Sequence, residues 1–89
     1  MFKVALERGA CDPKTWAQQG ECRIVAQNSA FRRTDVVLIE TEPDRAREIV
    51  RTPGVHSVEQ VTNDSFVGDD GWTLTIHNGA ITTRGRHRR

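Results

Sequence analysis

The stretch "VVLIETEPDRAREIVRTPGVHSVEQV", Val36 to Val61, decides how the chain is read. Its first four residues, Val36 to Ile39, form an unbroken run of β-branched and Leu side chains. That is the pattern of a strand buried on both faces, and such a strand belongs in the centre of its sheet. A helix start follows. Thr41 and Asp44 stand at the spacing of a capping box with Asp in place of Glu, Pro43 suits the first turn, and Pro53-Gly54 marks the stop. Inside it Ala46, Ile49 and Val50 recur at i, i+3 and i+4 and so share one face, which leaves Arg45, Arg47, Glu48 and Arg51 largely on the rest of the surface. "VHSVEQV" then reads as a strand in which Val58 breaks the alternation, and a twist or bulge is expected there.

Working toward the N-terminus, the polar turn "RRTD" precedes this block, and before it "CRIVAQNSAF" is a strand candidate. Further back, "DPKTWAQQG" predicts a short helix around Trp16, with Asp12 as N-cap, Pro13 at the first helical position and Gly20 as stop. The opening "FKVALE" sets Phe2, Val4 and Leu6 against Lys3, Ala5 and Glu7, the period-2 signature of a strand with one buried face.

Toward the C-terminus, "GDDG" (68 to 71) predicts a tight loop, and "WTLTIHNGAITT" predicts a hairpin. Asn78-Gly79 supplies the two positive-φ residues of a type I′ turn. In that register Ile76 faces Ile81 and Thr75 faces Thr82, and Trp72, Leu74, Ile76 and Ile81 share one face.

The element order is β-α-β-β-α-β followed by a hairpin. The expected fold class is α+β: a ferredoxin-like βαββαβ antiparallel sheet with two helices on one face, plus a C-terminal β-hairpin. Right-handed crossovers fix the face the helices take. The hairpin must either extend the sheet edge or cover part of the open face; we expect extension, with Thr73, Thr75 and His77 left in water. Residues 1–83 then make a single domain, and residues 84–89 a basic disordered tail.

A resemblance to a known family rests on "AREIVRTPGVHSVEQV", residues 46 to 61. This helix, Pro-Gly-Val turn and V-x-x-V-E strand resembles the second helix and last strand of subtilisin propeptides and their stand-alone inhibitor relatives. The resemblance implies a ferredoxin-like fold and protease inhibition. In that family the segment after the last strand lies in the protease cleft, whereas here the same region carries the predicted hairpin and an arginine tail.

Composition bounds the function. The chain has 89 residues, 36% hydrophobic with five aromatics and no Tyr, so those side chains must supply most of one small core. No apolar run approaches the roughly 20 residues of a membrane helix, and "MFKVALERGA" does not read as a secretory signal. A soluble, cytoplasmic protein is expected, with no membrane contact. Residues 1 to 83 carry nine Lys+Arg against twelve Asp+Glu, a formal −3, while residues 84 to 89 add +4. Attraction to a polyanion is therefore local.

Cys11 and Cys22 flank the first predicted helix. Nine helical residues separate their ends by ~13 Å, beyond the ~4.4 to 6.8 Å a disulfide tolerates, so reduced thiols are expected rather than a bridge. Neither His56, His77 nor His87 stands at zinc-site spacing from them, and no metal or cofactor is expected. Cys11 falls at a helix N-terminus that favours thiolate, yet no partner base is identifiable. Asp69 and Asp70 fall short of a calcium loop, and "GDDG" carries acids where a phosphate cradle needs positive charge.

Without a catalytic constellation, the expectation is a non-enzymatic binding module, an inhibitor or adaptor acting on a protein or nucleoprotein partner. Small phage-encoded inhibitors such as anti-CRISPR proteins are one class of that kind. The candidate partner-binding residues are Arg32, Arg33, Arg45, Arg51, Arg84, Arg86, Arg88 and Arg89. The alternatives are weak nucleic-acid contact through the tail, neutralising about three phosphates, and propeptide-like protease inhibition.

Overall fold

The computed structural model describes residues 1–9, 12–20, 22–29 and 34–86. Strand β1 is Phe2–Glu7, helix α1 Pro13–Gln19, β2 Arg23–Asn28, β3 Thr34–Glu40, α2 Pro43–Ile49, β4 Val55–Gln60, β5 Asp64–Val67, β6 Trp72–His77 and β7 Ala80–Arg86. The architecture is α+β, with two helices and two antiparallel sheets. One sheet has the order β2-β3-β1-β4, and the other the order β5-β6-β7.

Strand β3 is central and buried on both faces, as its four-residue apolar run requires. Because successive side chains point to opposite faces, Val37 and Ile39 join Phe2, Val4 and Leu6 of β1 on one side, where Trp16, Ala17, Ala46 and Ile49 of the helices cover them. Val36 and Leu38 point the other way, into a second cluster with Val61, Phe66, Leu74 and Ile76. The molecule is thus three layers: helices, four-stranded sheet, three-stranded sheet.

This corrects the expected placement of the C-terminal hairpin. It does not extend the sheet edge; it joins β5 in a separate sheet over the face opposite the helices. The physical reason lies in β3. Val36 and Leu38, with Val25, Ala26 and Met1 beside them, form a second apolar face that would otherwise stand in water. Each such side chain fully buried is worth roughly 1.5–3 kcal/mol. Strand β5 had no expectation attached to it, because only Phe66 of "DSFV" turns inward while Ser65 and Val67 are exposed.

Two bulges set which layer the side chains of an edge strand reach. In β4 the register to β1 shifts at His56, with Ala5 opposite Ser57 and Leu6 opposite Val55, so Val55 and Val58 both pack on the helix side despite their odd spacing. In β2 the shift falls at Val25. Ile24 faces the helices, while Val25 and Ala26 pack toward the second sheet.

The first helix forms as predicted. Asp12 accepts the Thr15 N–H at 3.2 Å, Pro13 opens the helix and Gly20 caps it. A Cβ at Gly20 would meet the Cys22 Sγ and the Trp16 carbonyl at 3.4 Å. The second helix departs from expectation. Pro43 occupies the first helical turn, which makes Glu42 the N-cap with no side-chain hydrogen bond, so the Thr41–Asp44 capping box does not form. Thr41 instead hydrogen-bonds Cys22. The helix stops at Ile49, and the Arg51 and Thr52 N–H groups bond the Glu48 and Ile49 carbonyls. Val50 therefore leaves the buried face and is 48% exposed.

Candidate binding surface at the end of strand β7

The β6–β7 hairpin turns at Asn78 (φ 52°) and Gly79 (φ 80°), the positive-φ pair expected of a type I′ turn. Ile76 faces Ile81 as predicted, but Thr75 faces Thr83, because Thr82 is an extra residue in β7. Beyond that bulge the register brings Leu74 opposite Arg84, Thr73 opposite Gly85 and Trp72 opposite Arg86.

The consequence falls on Trp72. It lies on the same face of β6 as Leu74 and Ile76, yet at the far end of the strand it runs past the core and is 38% exposed. This corrects its assignment to the core. The Arg84 guanidinium sits over its ring, 5.4 Å from the centroid. Asp70 fixes that pose from below: its Oδ2 accepts from Arg84 Nη2 at 2.6 Å, and its Oδ1 accepts the Trp72 N–H at 3.0 Å. At this exposure the stacking contributes about 0.5–1 kcal/mol and the ion pair no more than about 1 kcal/mol, so the cluster orients side chains more than it stabilises the fold.

The "GDDG" segment makes this possible. It closes the β5–β6 hairpin, with the Gly68 N–H bonded to the Trp72 carbonyl and the Gly71 N–H to the Gly68 carbonyl. A Cβ at Gly68 would lie 2.8 Å from Asp70 Oδ1, so only glycine leaves room for that carboxylate. Asp69 works in the other direction. It accepts the Ser29 N–H and donates its own N–H to the Gln27 carbonyl at 2.8 Å, tying the loop to β2. Both carboxylates are engaged by protein donors. Among the described residues no group of three or more His, Cys, Asp or Glu side chains is placed to hold a metal ion.

The arginines predicted as contacts separate. Arg45 lies on α2 and reaches Glu48 at 3.3 Å, and Arg51 is exposed in the turn after α2. Arg84 and Arg86 lie on β7, in the layer on the other side of the four-stranded sheet. The two pairs do not form one patch. Strand β7 runs to Arg86, so Arg84 and Arg86 belong to the sheet and not to a tail beginning at residue 84. Arg32, Arg33, Arg88 and Arg89 lie outside the described residues, as do Cys11 and His87.

Sequence reasoning missed Trp72 and Asp70 as members of this surface. Counting across the hairpin from Asn78-Gly79 brings an aromatic near arginines, and the acids of the preceding loop complete the set.

The remaining thiol has a structural setting. Cys22 is a free thiol whose Sγ lies 3.3 Å from the Gly20 carbonyl. Burial pushes its pKa above the ordinary thiol value, against smaller downward pulls from the Thr41 hydrogen bond and the Arg45 charge. A thiol held protonated is a poor nucleophile.

No helix among the described residues is long and apolar enough to cross a membrane. No protein-family model, curated protein or solved structure matches the chain.

Proposed function

We propose that the chain is a non-enzymatic binding module, an inhibitor or adaptor that engages a protein or nucleoprotein partner through the end of its three-stranded sheet. The observation that carries this reading is Trp72, exposed beneath an arginine that Asp70 pins in place. Tryptophan and arginine are the residue types that most often anchor interfaces, and holding them in one pose before contact lowers the ordering cost of association. In sequence Arg84 is followed by Arg86, Arg88 and Arg89, four cations after 83 residues that carry a formal −3.

A ferredoxin-like reading of the four-stranded sheet is supported by its order, β2-β3-β1-β4, and by the two βαβ crossovers that each skip one strand. The stretch that resembles subtilisin propeptides falls on α2, the Pro53-Gly54 turn and β4. The segment following β4 is folded into β5, β6 and β7, which leaves the protease-inhibitor reading without the extended element it would use.

Capture tests the proposal. The immobilised chain should retain a partner from lysate of the cells it comes from, and retain it after nuclease treatment. Trp72→Ala and the double variant Arg84→Glu/Arg86→Glu should each lose it. Undiminished capture by both variants would show that the surface lies elsewhere. A second reading, weak nucleic-acid contact, draws on the same exposed ring and cations. It predicts that nuclease abolishes retention and that modest salt does the same.

A further inference from the structure

We infer that Asp70 is the specificity-determining residue of this surface: by holding the charge of Arg84 cancelled, it selects a protein partner and turns away the phosphate backbone of a nucleic acid. The inference rests on the reading above and decides between the two partner classes.

An exposed aromatic with an arginine beside it suits a single-stranded nucleic acid, because the ring stacks a base and the guanidinium meets a phosphate. The second of these roles is already taken. Asp70 Oδ2 accepts from Arg84 Nη2 at 2.6 Å. Its Oδ1 accepts the Trp72 N–H at 3.0 Å, and it occupies space that exists only because Gly68 has no Cβ. An exposed ion pair ordinarily loses much of its strength to the ordering of two long side chains. Here the carboxylate is short and tied to its loop, and the guanidinium lies on the indole, so little ordering is left to do. A phosphate arriving from solution has to displace a carboxylate that is tethered at the spot.

The surroundings do not restore the charge. Asp69 accepts from the Ser29 N–H at 2.9 Å, a neutral donor that leaves its negative charge in place. Lys14 of α1 lines the same crevice as Asp69 and Asp70. Two acids and two cations cancel, so an incoming anion gains no net attraction from these four and meets two carboxylates at close range. What stays on offer is the stack. Indole and paired guanidinium present flat, weakly hydrated faces, which suit an uncharged side chain of a protein better than an anion. Asp70 is thus the repulsive element that specificity uses beside an attractive one.

Arg84 should therefore be silent toward phosphates while Asp70 is present and active once it is gone. The probe is a fluorescent single-stranded oligonucleotide, titrated with the full chain at several salt concentrations. Arg84→Gln should leave affinity and salt dependence unchanged. Asp70→Asn keeps a side-chain oxygen for the Trp72 N–H but frees the guanidinium. Affinity at low salt should then rise about tenfold, the effect of one charge-assisted hydrogen bond. The slope of log K against log salt should steepen by about 0.7, one phosphate of a single strand. The double variant Asp70→Asn/Arg84→Gln should return both to the parent values. Glu42→Gln, the same change of net charge at the N-cap of α2, where the side chain caps nothing, should give far less.

A shallower salt slope in Arg84→Gln, no gain in Asp70→Asn, a gain that survives the loss of Arg84, or an equal gain in Glu42→Gln would each overturn the inference. If Asp70→Asn does not fold, the Arg84→Gln arm decides alone. Should the inference fail while Trp72→Ala still loses the captured partner, only the role of Asp70 falls; if Trp72→Ala and Arg84→Glu/Arg86→Glu both retain the partner, the surface itself is wrong.

Discussion

The two faces of the four-stranded sheet are closed by different means. On one face, two seven-residue helices each contribute a few side chains, Trp16 and Ala17 from the first, Ala46 and Ile49 from the second. On the other, a whole sheet lies across, touching with Phe66, Leu74 and Ile76. The helices stop once these residues are buried, the second at Ile49 with Val50 left exposed. The sheet does not, because a strand cannot be shortened on its inner face alone, and Trp72 with Arg84 is the overhang. A cover whose length is set by strand pairing rather than by the core beneath it leaves ordered side chains beyond the edge of that core.

That contrast is breakable. If both covers belong to one cooperative unit, Leu6→Ala on the helix side and Leu74→Ala on the sheet side should each cost about 2–5 kcal/mol, with a single denaturant transition in both variants. Two transitions in Leu74→Ala would show that the second sheet is a separable layer. A smaller effect sharpens the helix side: Asp12→Ala removes the Thr15 cap and should cost about 1 kcal/mol in urea unfolding. On the sheet side, Gly85→Thr fills open space in an edge strand and should raise stability by up to about 1 kcal/mol, read as a higher Tm. An unchanged or lower Tm would mean that Gly85 meets a constraint within the chain.

The smallest effect is at Cys22. Its folded pKa is raised, so the stability it contributes is fully present below the ordinary thiol pKa and is lost as pH rises through the folded value. Alkylation of the native chain near neutral pH should accordingly be slower than that of the unfolded chain. Equal rates would show that burial does not protect the thiol.

Much of the helix-side core was legible because its signals are local. Phe2, Val4 and Leu6 alternate over one strand, Val36 to Ile39 declare a central strand, and Asp12, Pro13 and Gly20 bracket a helix. Even the bulge in β4 announced itself through Val58. The sheet-side core was hidden for the converse reason. Strand β5 offers a single inward residue, Phe66, and the destination of the hairpin depends on Val36 and Leu38, some forty residues away. The candidate surface was half visible. Arg84 and Arg86 stood out as charge, but the Thr82 bulge that sets Arg84 opposite Leu74, within reach of Trp72 and Asp70, has no sequence mark. Arg45 and Arg51 were grouped with them only because one-dimensional clustering cannot see that a sheet lies between.

The turn between β6 and β7 has a chemical as well as a geometric side. An asparagine followed by glycine is the dipeptide most prone to slow deamidation, in which the glycine nitrogen attacks the asparagine side-chain carbonyl and ammonia is lost. Here the Gly79 N–H is held by the Thr62 carbonyl at 2.9 Å, and the Asn78 N–H by Asn63 Oδ1 at 3.2 Å. The nitrogen that would start the reaction is occupied for as long as the chain stays folded, so this site should age more slowly in the native protein than in a denatured sample, a difference that the mass gain at Asn78 would report.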